Sequence, residues 1–291
     1  MQKKQIAVIV IVVAIMGYLY MLPVKGLIKP KAAAGHTNVA DAKPRAVRSI
    51  SVEMVSSAGK MVIGPALSAQ VTTLEGQLKN AGEGARLEVQ KELAKKWDDV
   101  NQPAPAAFYY QDIARSENTF ADWLAAGNHF NDAYKFTQDT LVQPFFVVNA
   151  IADFKNAVKL KPNDLDAKTG LGVAFVNQTS LGMADADGGS PMQGIMLLLD
   201  VVKQDPKNWN ANLSLGVFAM KSGQFQKATQ RFKTIIAVRP NELEPYYYLA
   251  ESYKQLSMKN EAIAAYEKCK QMNPDPEFTK VVDGYINELK K

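Results

Sequence analysis

The stretch LGVFAMKSGQFQKATQRFKTIIAVRP, residues 215–240, is followed 34 residues later by a second stretch with the same arrangement of residue types, LAESYKQLSMKNEAIAAYEKCKQMNP at residues 249–274. The corresponding pairs are Leu215 with Leu249, Gly216 with Ala250, Ala228 with Ala262, Phe232 with Tyr266, Ile235 with Cys269, and Pro240 with Pro274. A fixed period of this length is typical of stacked supersecondary units, each too small to bury its own apolar face. The pattern therefore predicts a helical solenoid.

The same pattern extends toward the amino terminus. The two preceding units, at residues 120–162 and 165–206, each carry about ten extra residues between their halves. A fainter copy, with Leu93, Ala94 and Trp97, lies within residues 85–119. We therefore count four repeats over residues 120–276 and one degenerate repeat before them.

Small and bulky residues alternate in a way that predicts two antiparallel helices in each repeat. A small residue on either helix lets its partner approach, and an aromatic or aliphatic residue fills the space between neighbouring pairs. A proline follows the second helix of each of the four repeats and ends it, at Pro162, Pro206, Pro240 and Pro274. Gly223 turns the chain between the two helices of one repeat. The residues that define this core are Gly127, Phe130, Ala150, Phe154, Gly172, Gly194, Gly216, Ala228, Phe232, Ala250, Ala262 and Tyr266.

These residues resemble the signature of the tetratricopeptide repeat (TPR) family. Gly216, Gly223, Phe225, Ala228, Phe232 and Pro240 match it in order and spacing, and Trp123, Gly127 and Phe130 match its opening helix. Ser257 departs from the family, which usually has glycine in that turn. The resemblance implies an all-α fold that binds other proteins.

The amino terminus predicts a membrane anchor. After a short tail at residues 1–4, residues 5–22 contain no charged side chain, and such a helix is about 27 Å long, enough to span a hydrocarbon core. A cleaved signal peptide is less favoured, because Lys25, Lys29 and Lys31 separate the apolar run from the alanines at 32–34. We expect a single-pass bacterial inner-membrane protein.

The orientation is less clearly indicated, since basic residues flank the span on both sides. The very short amino terminus favours a periplasmic repeat domain, and a cytoplasmic domain remains the alternative. Residues 23–50 predict a flexible basic tether, and residues 51–84 predict juxtamembrane helices. In that region Leu67, Val71, Leu74 and Leu78 form one apolar stripe, and Glu75 is spaced to pair with Lys79. The stripe predicts packing on the first repeat, with self-association as a variant.

Two inserted connections and a terminal helix complete the chain. Residues 134–146 predict an extended first helix with a turn near Pro144, and the glycine- and aspartate-rich residues 178–191 predict a connecting loop. That loop does not match a calcium-binding loop, since Met183 and Gly194 occupy ligand positions. Residues 277–291 predict an amphipathic helix that caps the last repeat.

The composition argues against several function classes. A net charge of +5 with evenly spread basic residues gives no basis for a nucleic-acid partner. Two histidines, His36 and His129, and the single Cys269 form no catalytic or metal-ligand spacing, and Cys269 is expected in the core. We predict no enzyme activity, no cofactor and no metal, although an enzyme with an unrecognised site stays open as an alternative.

The TPR resemblance implies that first helices line a concave groove where a protein or peptide segment docks. By matching positions, the candidate groove residues are Val173, Val176, Asn177, Asn210, Leu213, Val217, Met220, Tyr247 and Glu251, with Asp166, Thr169, Lys221, Glu244 and Lys254 beside them. Its centre is apolar, which favours a partner with apolar anchors over a carboxylate clamp. The chain is also similar in architecture to membrane-anchored TPR subunits that hold apocytochrome c during haem attachment, so an envelope assembly role is an alternative to a general scaffold.

Overall fold

A computed structural model describes residues 47–183 and 191–291 of the chain. These residues form helices and no strand. The helices are α1 Val52–Lys60, α2 Pro65–Asn80, α3 Glu83–Asp99, α4 Pro103–Glu117, α5 Phe120–Phe136, α6 Gln143–Leu160, α7 Leu165–Ser180, α8 Pro191–Gln204, α9 Trp209–Lys221, α10 Phe225–Val238, α11 Leu243–Gln255, α12 Lys259–Met272 and α13 Pro276–Lys290. The all-α prediction is confirmed for this part of the chain.

The helices pair in the order that the period predicts. Helix α5 packs on α6, α7 on α8, α9 on α10 and α11 on α12, while α3 packs on α4 in the region of the fainter copy. Each pair also packs on the next, because the second helix of one hairpin contacts the first helix of the following one. The result is a solenoid of helical hairpins.

The glycines of the pattern mark places where helices touch. A Cβ atom added at Gly216 would lie 2.6 Å from the Phe232 ring, which is fully buried. A Cβ atom at Gly194 would lie 2.6 Å from the backbone oxygen of Gly172. Distances this short leave no room for a methyl group, so α7 and α8 meet backbone to backbone at Gly172 and Gly194.

The turns inside two hairpins use the same backbone conformation with different residues. Gly223, between α9 and α10, has a φ of 73°. Ser257, which lies 34 residues later between α11 and α12, has a φ of 59°. A left-handed residue is therefore required at this position of the repeat, and serine adopts it with more strain than glycine does.

The connection between α5 and α6 differs from the expected one. Helix α5 ends at Phe136 and α6 begins at Gln143, so the turn comprises residues 137–142. Pro144 lies in the first turn of α6. Backbone N–H groups in the first turn have no partner within the helix, so proline loses no hydrogen bond there. The expected turn near Pro144 thus lies just before it. Most of the second insert, residues 184–190, lies outside the described residues.

The helices before the repeats pack as the apolar stripe predicts. Val71 and Leu74 of α2 are buried against Leu93 and Trp97 of α3. Glu75 does not use Lys79 as its partner; its Oε2 atom lies 2.6 Å from Lys60 Nζ, because α1 folds back beside α2. The predicted pairing with Lys79 was wrong.

The predicted span at residues 5–22 and the tether up to residue 46 lie outside the described residues. Within the described ranges, no helix combines the length and the apolar character that crossing a bilayer requires.

Helix α13 covers the end of the solenoid. Val282 and Ile286 are buried against the α11–α12 hairpin, whereas Val281 is 53% exposed. Cys269 is buried in α12, as expected, and burial raises the pKa of its thiol to about 11.

Candidate partner-binding groove

The first helices of the hairpins form one continuous layer. Helices α5, α7, α9 and α11 contact one another in sequence, and no comparable contact joins α6 to α8 or α8 to α10. Neighbouring helices approach more closely on the inner side of a curved stack. The first helices therefore line the concave face, and the second helices lie on the outer face.

The predicted apolar groove residues are half-buried. The core of the last two hairpins is packed against by Leu213, Val217 and Met220 of α9 and by Tyr247 of α11. Val173 of α7 leans on the core between α7, α8 and α9. Each of these side chains keeps part of its surface accessible, and all five lie on first helices, so they form a partly buried apolar row rather than a protruding stripe.

Other predicted groove residues divide into buried and exposed ones. Val176 is 8% exposed and packs beside Leu198 and Leu215, so it offers a partner little surface. Asn210 is exposed at the start of α9, and Asn177 is half-exposed at the end of α7. Polar side chains thus border the apolar floor formed by Val173, Leu213, Val217, Met220 and Tyr247.

Four tyrosines gather where α11, α12 and α13 meet. The Tyr266 ring lies 6.2 Å from the Tyr247 ring and 5.5 Å from the Tyr285 ring, and Tyr248 stacks on Phe232. The Tyr266 hydroxyl donates a hydrogen bond to Glu251. Burial, aided by a hydrogen bond with Tyr285, raises the pKa of Tyr247 to about 12, so the Tyr247 ring stays neutral at physiological pH.

Helix α13 supplies an end wall to the groove. Lys254 of α11 lies 3.9 Å from Glu288 of α13 and 5.1 Å from the Tyr285 ring. These contacts bring the cap beside the groove-facing residues of the last hairpin. The cap therefore lies beside the concave face at α11.

An ion pair joins the α5–α6 hairpin to the α11–α12 hairpin. Lys135 Nζ, at the end of α5, lies 3.8 Å from Glu244 Oε1, at the start of α11. Helix α5 has 17 residues, whereas α9 and α11 have 13 each, so one extra turn carries Lys135 toward α11. The sequence pattern did not predict this contact, although the extra residues after position 134 are the ones that lengthen α5.

A polar cluster where α3, α4 and α5 meet contains the histidine of the repeats. Tyr110 Oη donates to Asp98 Oδ2 at 2.5 Å, His129 Nε2 lies 3.4 Å from Asp98 Oδ1, and the two rings stack 4.3 Å apart. Burial lowers the pKa of His129, against the nearby charges of Asp98 and Asp132, which raise it. No group of metal-ligating side chains occurs in the described ranges. The cluster therefore holds α3, α4 and α5 together.

A buried carboxylate lies between α4 and α6. Asp153, 1% exposed, accepts hydrogen bonds from Gln111 Nε2 at 3.0 and 3.1 Å, and Arg115 donates to Gln111 Oε1 at 2.6 Å. Burial raises the pKa of Asp153 to about 7. Sequence analysis missed it, although none of the later repeats has an acid at the equivalent position, which holds Leu197, Arg231 and Ala265.

Comparisons with known proteins agree with this architecture. Residues 243–276, which contain α11 and α12, match the tetratricopeptide repeat model. A 108-residue part of the chain is 27% identical to Superkiller protein 3 of Schizosaccharomyces pombe; it covers 37% of this chain but only 7% of that protein.

Two solved structures share the fold. A thermophilic TPR protein of Thermus thermophilus superposes with a TM-score of 0.52 at 18% identity, over 67% of this chain and 95% of that one. A tetratricopeptide repeat protein of Parabacteroides merdae superposes with a TM-score of 0.54 at 12% identity, over 82% and 86% of the two chains. Residues 243–276 thus form a tetratricopeptide repeat, and the described part of the chain has the helical fold of tetratricopeptide repeat proteins.

Proposed function

We propose that this chain is a non-enzymatic scaffold, tethered to a membrane, that holds a protein or peptide segment in its concave groove. The observation that carries the proposal is the apolar floor on the first helices. Val173, Leu213, Val217 and Tyr247 are half-buried there, and they keep accessible surface between polar borders. Apolar anchors between polar rims are the usual composition of a protein-binding surface.

The floor also indicates the chemistry of the partner. It has aliphatic side chains in the middle and a tyrosine at the end that α13 walls off. A helix or extended segment with aliphatic or aromatic anchors fits such a groove, because its side chains enter the gaps along the floor. In this proposal, the accessible amides of Asn177 and Asn210 at the border hydrogen bond the backbone of such a segment.

The membrane tether rests on residues 5–22, and its orientation on the short basic amino terminus. We place the repeat domain in the periplasm of a bacterial inner-membrane protein. A tethered domain meets membrane-bound partners at a raised effective concentration, so an affinity in the ~micromolar range suffices for capture.

The proposal is tested by capture with the full chain in its own cells. Replacing both Leu213 and Val217 with Asp places two charges on the apolar floor, and we expect the captured protein to be lost. The matched control replaces Gln226 and Gln230, exposed on α10, with Asp, and it should keep the partner. Since Leu213 and Val217 lean on the core, thermal unfolding of each variant checks the fold.

A third variant, Asn210→Arg, leaves the core untouched because Asn210 is exposed. It should weaken capture by adding bulk at the groove border. Full capture by all groove variants would rule out the groove as the site that binds the partner. The captured proteins also test the orientation, since periplasmic partners agree with it and cytoplasmic ones contradict it.

A further inference from the structure

Glu251 of α11 is a partly buried carboxylate that lacks a positively charged partner. Helices α11, α12 and α13 contain four partly buried acidic side chains, and three of these form ion pairs with lysine. The distances from lysine Nζ to carboxylate oxygen are 3.8, 3.5 and 2.5 Å in the pairs Glu244–Lys135, Glu267–Lys270 and Asp283–Lys270. Glu251 is the fourth, and it forms no ion pair within the described ranges. An opposite charge stabilises a carboxylate that is partly withdrawn from water, so Glu251 is open to a cation from outside the chain.

Tyrosine side chains supply the contacts that Glu251 has. The Tyr266 hydroxyl donates a hydrogen bond to Glu251 Oε1, and Oε2 accepts none from the described residues. After burial and a hydrogen bond with Tyr285, the negative charge of Glu251 is the next cause of the raised pKa of Tyr247, so the carboxylate also lies near that ring. A carboxylate has about four acceptor positions, and Tyr266 fills one of them, so Glu251 keeps acceptors for a further donor.

Two tyrosine rings near Glu251 offer part of their surface to a cation. Tyr247 and Tyr285 are partly buried, and a hydrogen bond joins their hydroxyl groups. The face of a tyrosine ring attracts cations, and Lys254 Nζ already lies 5.1 Å from the centroid of the Tyr285 ring. The ion-pair partner of Lys254 is Glu288, at 3.9 Å, so this lysine leaves Glu251 without an opposite charge.

The register of the repeats places Glu251 in line with the apolar floor. It follows Tyr247 by four residues, which puts the two side chains on one face of α11. The same repeat position holds Val217 on α9 and Val173 on α7, and both valines belong to the apolar floor. This position therefore changes from aliphatic to negatively charged at α11. A segment that lies along the floor meets apolar side chains and then a carboxylate at one end.

We propose that Glu251, with the rings of Tyr247 and Tyr285, binds an arginine or lysine side chain of the partner segment. This inference rests on the proposed function, and it adds one positive charge to the chemistry of the partner. Glu251 Oε2 accepts hydrogen bonds from the basic group, while the two rings offer their faces to its charge. Arginine fits better than lysine, because its planar guanidinium stacks on a ring and still bonds to a carboxylate.

Peptide selection with the full chain, held in detergent micelles, tests this inference. The probe is a library of random dodecapeptides displayed on phage. We expect the parent to enrich peptides that combine apolar residues with an arginine or a lysine. Glu251→Gln should keep the apolar preference and lose the basic one, because glutamine is neutral but still accepts the hydrogen bond from Tyr266. The matched control Glu261→Gln removes a charge from an exposed position on α12, and it should select the same peptides as the parent.

A second measurement compares one enriched arginine peptide with the same peptide carrying citrulline, a neutral group of similar shape. The parent should bind the arginine peptide about tenfold more tightly than the citrulline peptide. Glu251→Gln should bind the two peptides equally, and Glu261→Gln should keep the tenfold preference. Thermal unfolding of each variant checks that the hairpin of α11 and α12 remains folded.

The results separate this inference from the groove on which it rests. If the parent selects apolar peptides that lack a basic residue, the groove stands and the cation site is wrong. If the parent selects no peptide, or if the Leu213→Asp/Val217→Asp variant selects the same peptides, the groove is wrong and the cation site with it. An equal preference for arginine over citrulline in the parent and in Glu251→Gln would show that Glu251 does not recognise the charge.

Discussion

At the scale of single residues, Asp153 is the most informative feature of this chain. A buried carboxylate needs hydrogen-bond donors from the protein. Asp153 accepts them from the amide of Gln111, whose oxygen in turn accepts a hydrogen bond from Arg115. Burial raises its pKa to about 7, well above the ordinary value of 3.8 for aspartate. At a pH between these two values, the native state therefore binds a proton at Asp153 that the unfolded state has released.

This raised pKa makes stability depend on pH. Between the ordinary pKa of aspartate and about 7, the native state holds the extra proton, so the free energy of unfolding falls as pH rises. Asp153→Asn removes this dependence and keeps an acceptor for Gln111. We expect the variant to gain stability relative to the parent, on the order of a few kcal/mol, between pH 5 and pH 8.

Denaturant unfolding of parent and variant across that pH range measures the difference. A difference that does not change with pH would show that Asp153 titrates as an ordinary carboxyl.

Sequence patterns predicted the burial of Cys269 from its partner Ile235, but they predict apolar positions only. The network of Gln111, Arg115 and Asp153 joins residues about 40 positions apart, which no local pattern encodes.

At the scale of elements, the hairpins were predictable because each helix boundary has a local cause. Period, glycine spacing and the prolines after second helices gave the pairs α9–α10 and α11–α12 directly. The connections were harder, since proline both ends helices and begins them. Pro144 begins α6, as its place in the first turn shows.

The close approach of α7 and α8 leads to a prediction at this scale. Gly194→Ala would place a methyl group 2.6 Å from the Gly172 carbonyl oxygen, which is backbone and cannot rotate away. The hairpin must open, and we expect a loss of about 1–3 kcal/mol in the free energy of unfolding.

Gly284→Ala is the matched control for this change. Its added Cβ atom would meet nothing within 4 Å inside α13. Alanine favours helix there, so this variant should gain about 1 kcal/mol. Equal effects of the two substitutions in chemical denaturation would refute the account of helix packing.

At the scale of the whole solenoid, the row of first helices creates a surface that no single repeat contains. The register of the repeats placed Leu213, Val217 and Tyr247 on this surface, but how far each is buried depends on the angles between hairpins. Those angles come from packing of many side chains, and periodicity does not encode them. The Lys135–Glu244 contact, between hairpins that are far apart in sequence, follows from the same curvature.

The central claim is that a partner segment lies on the concave floor, and photocrosslinking in living cells tests it most directly. A photoreactive amino acid placed at Val217, on the floor of the groove, should crosslink the full chain to a partner. The same amino acid at Gln226, exposed on α10, should give no such product. Crosslinking from Gln226 with none from Val217 would contradict the account.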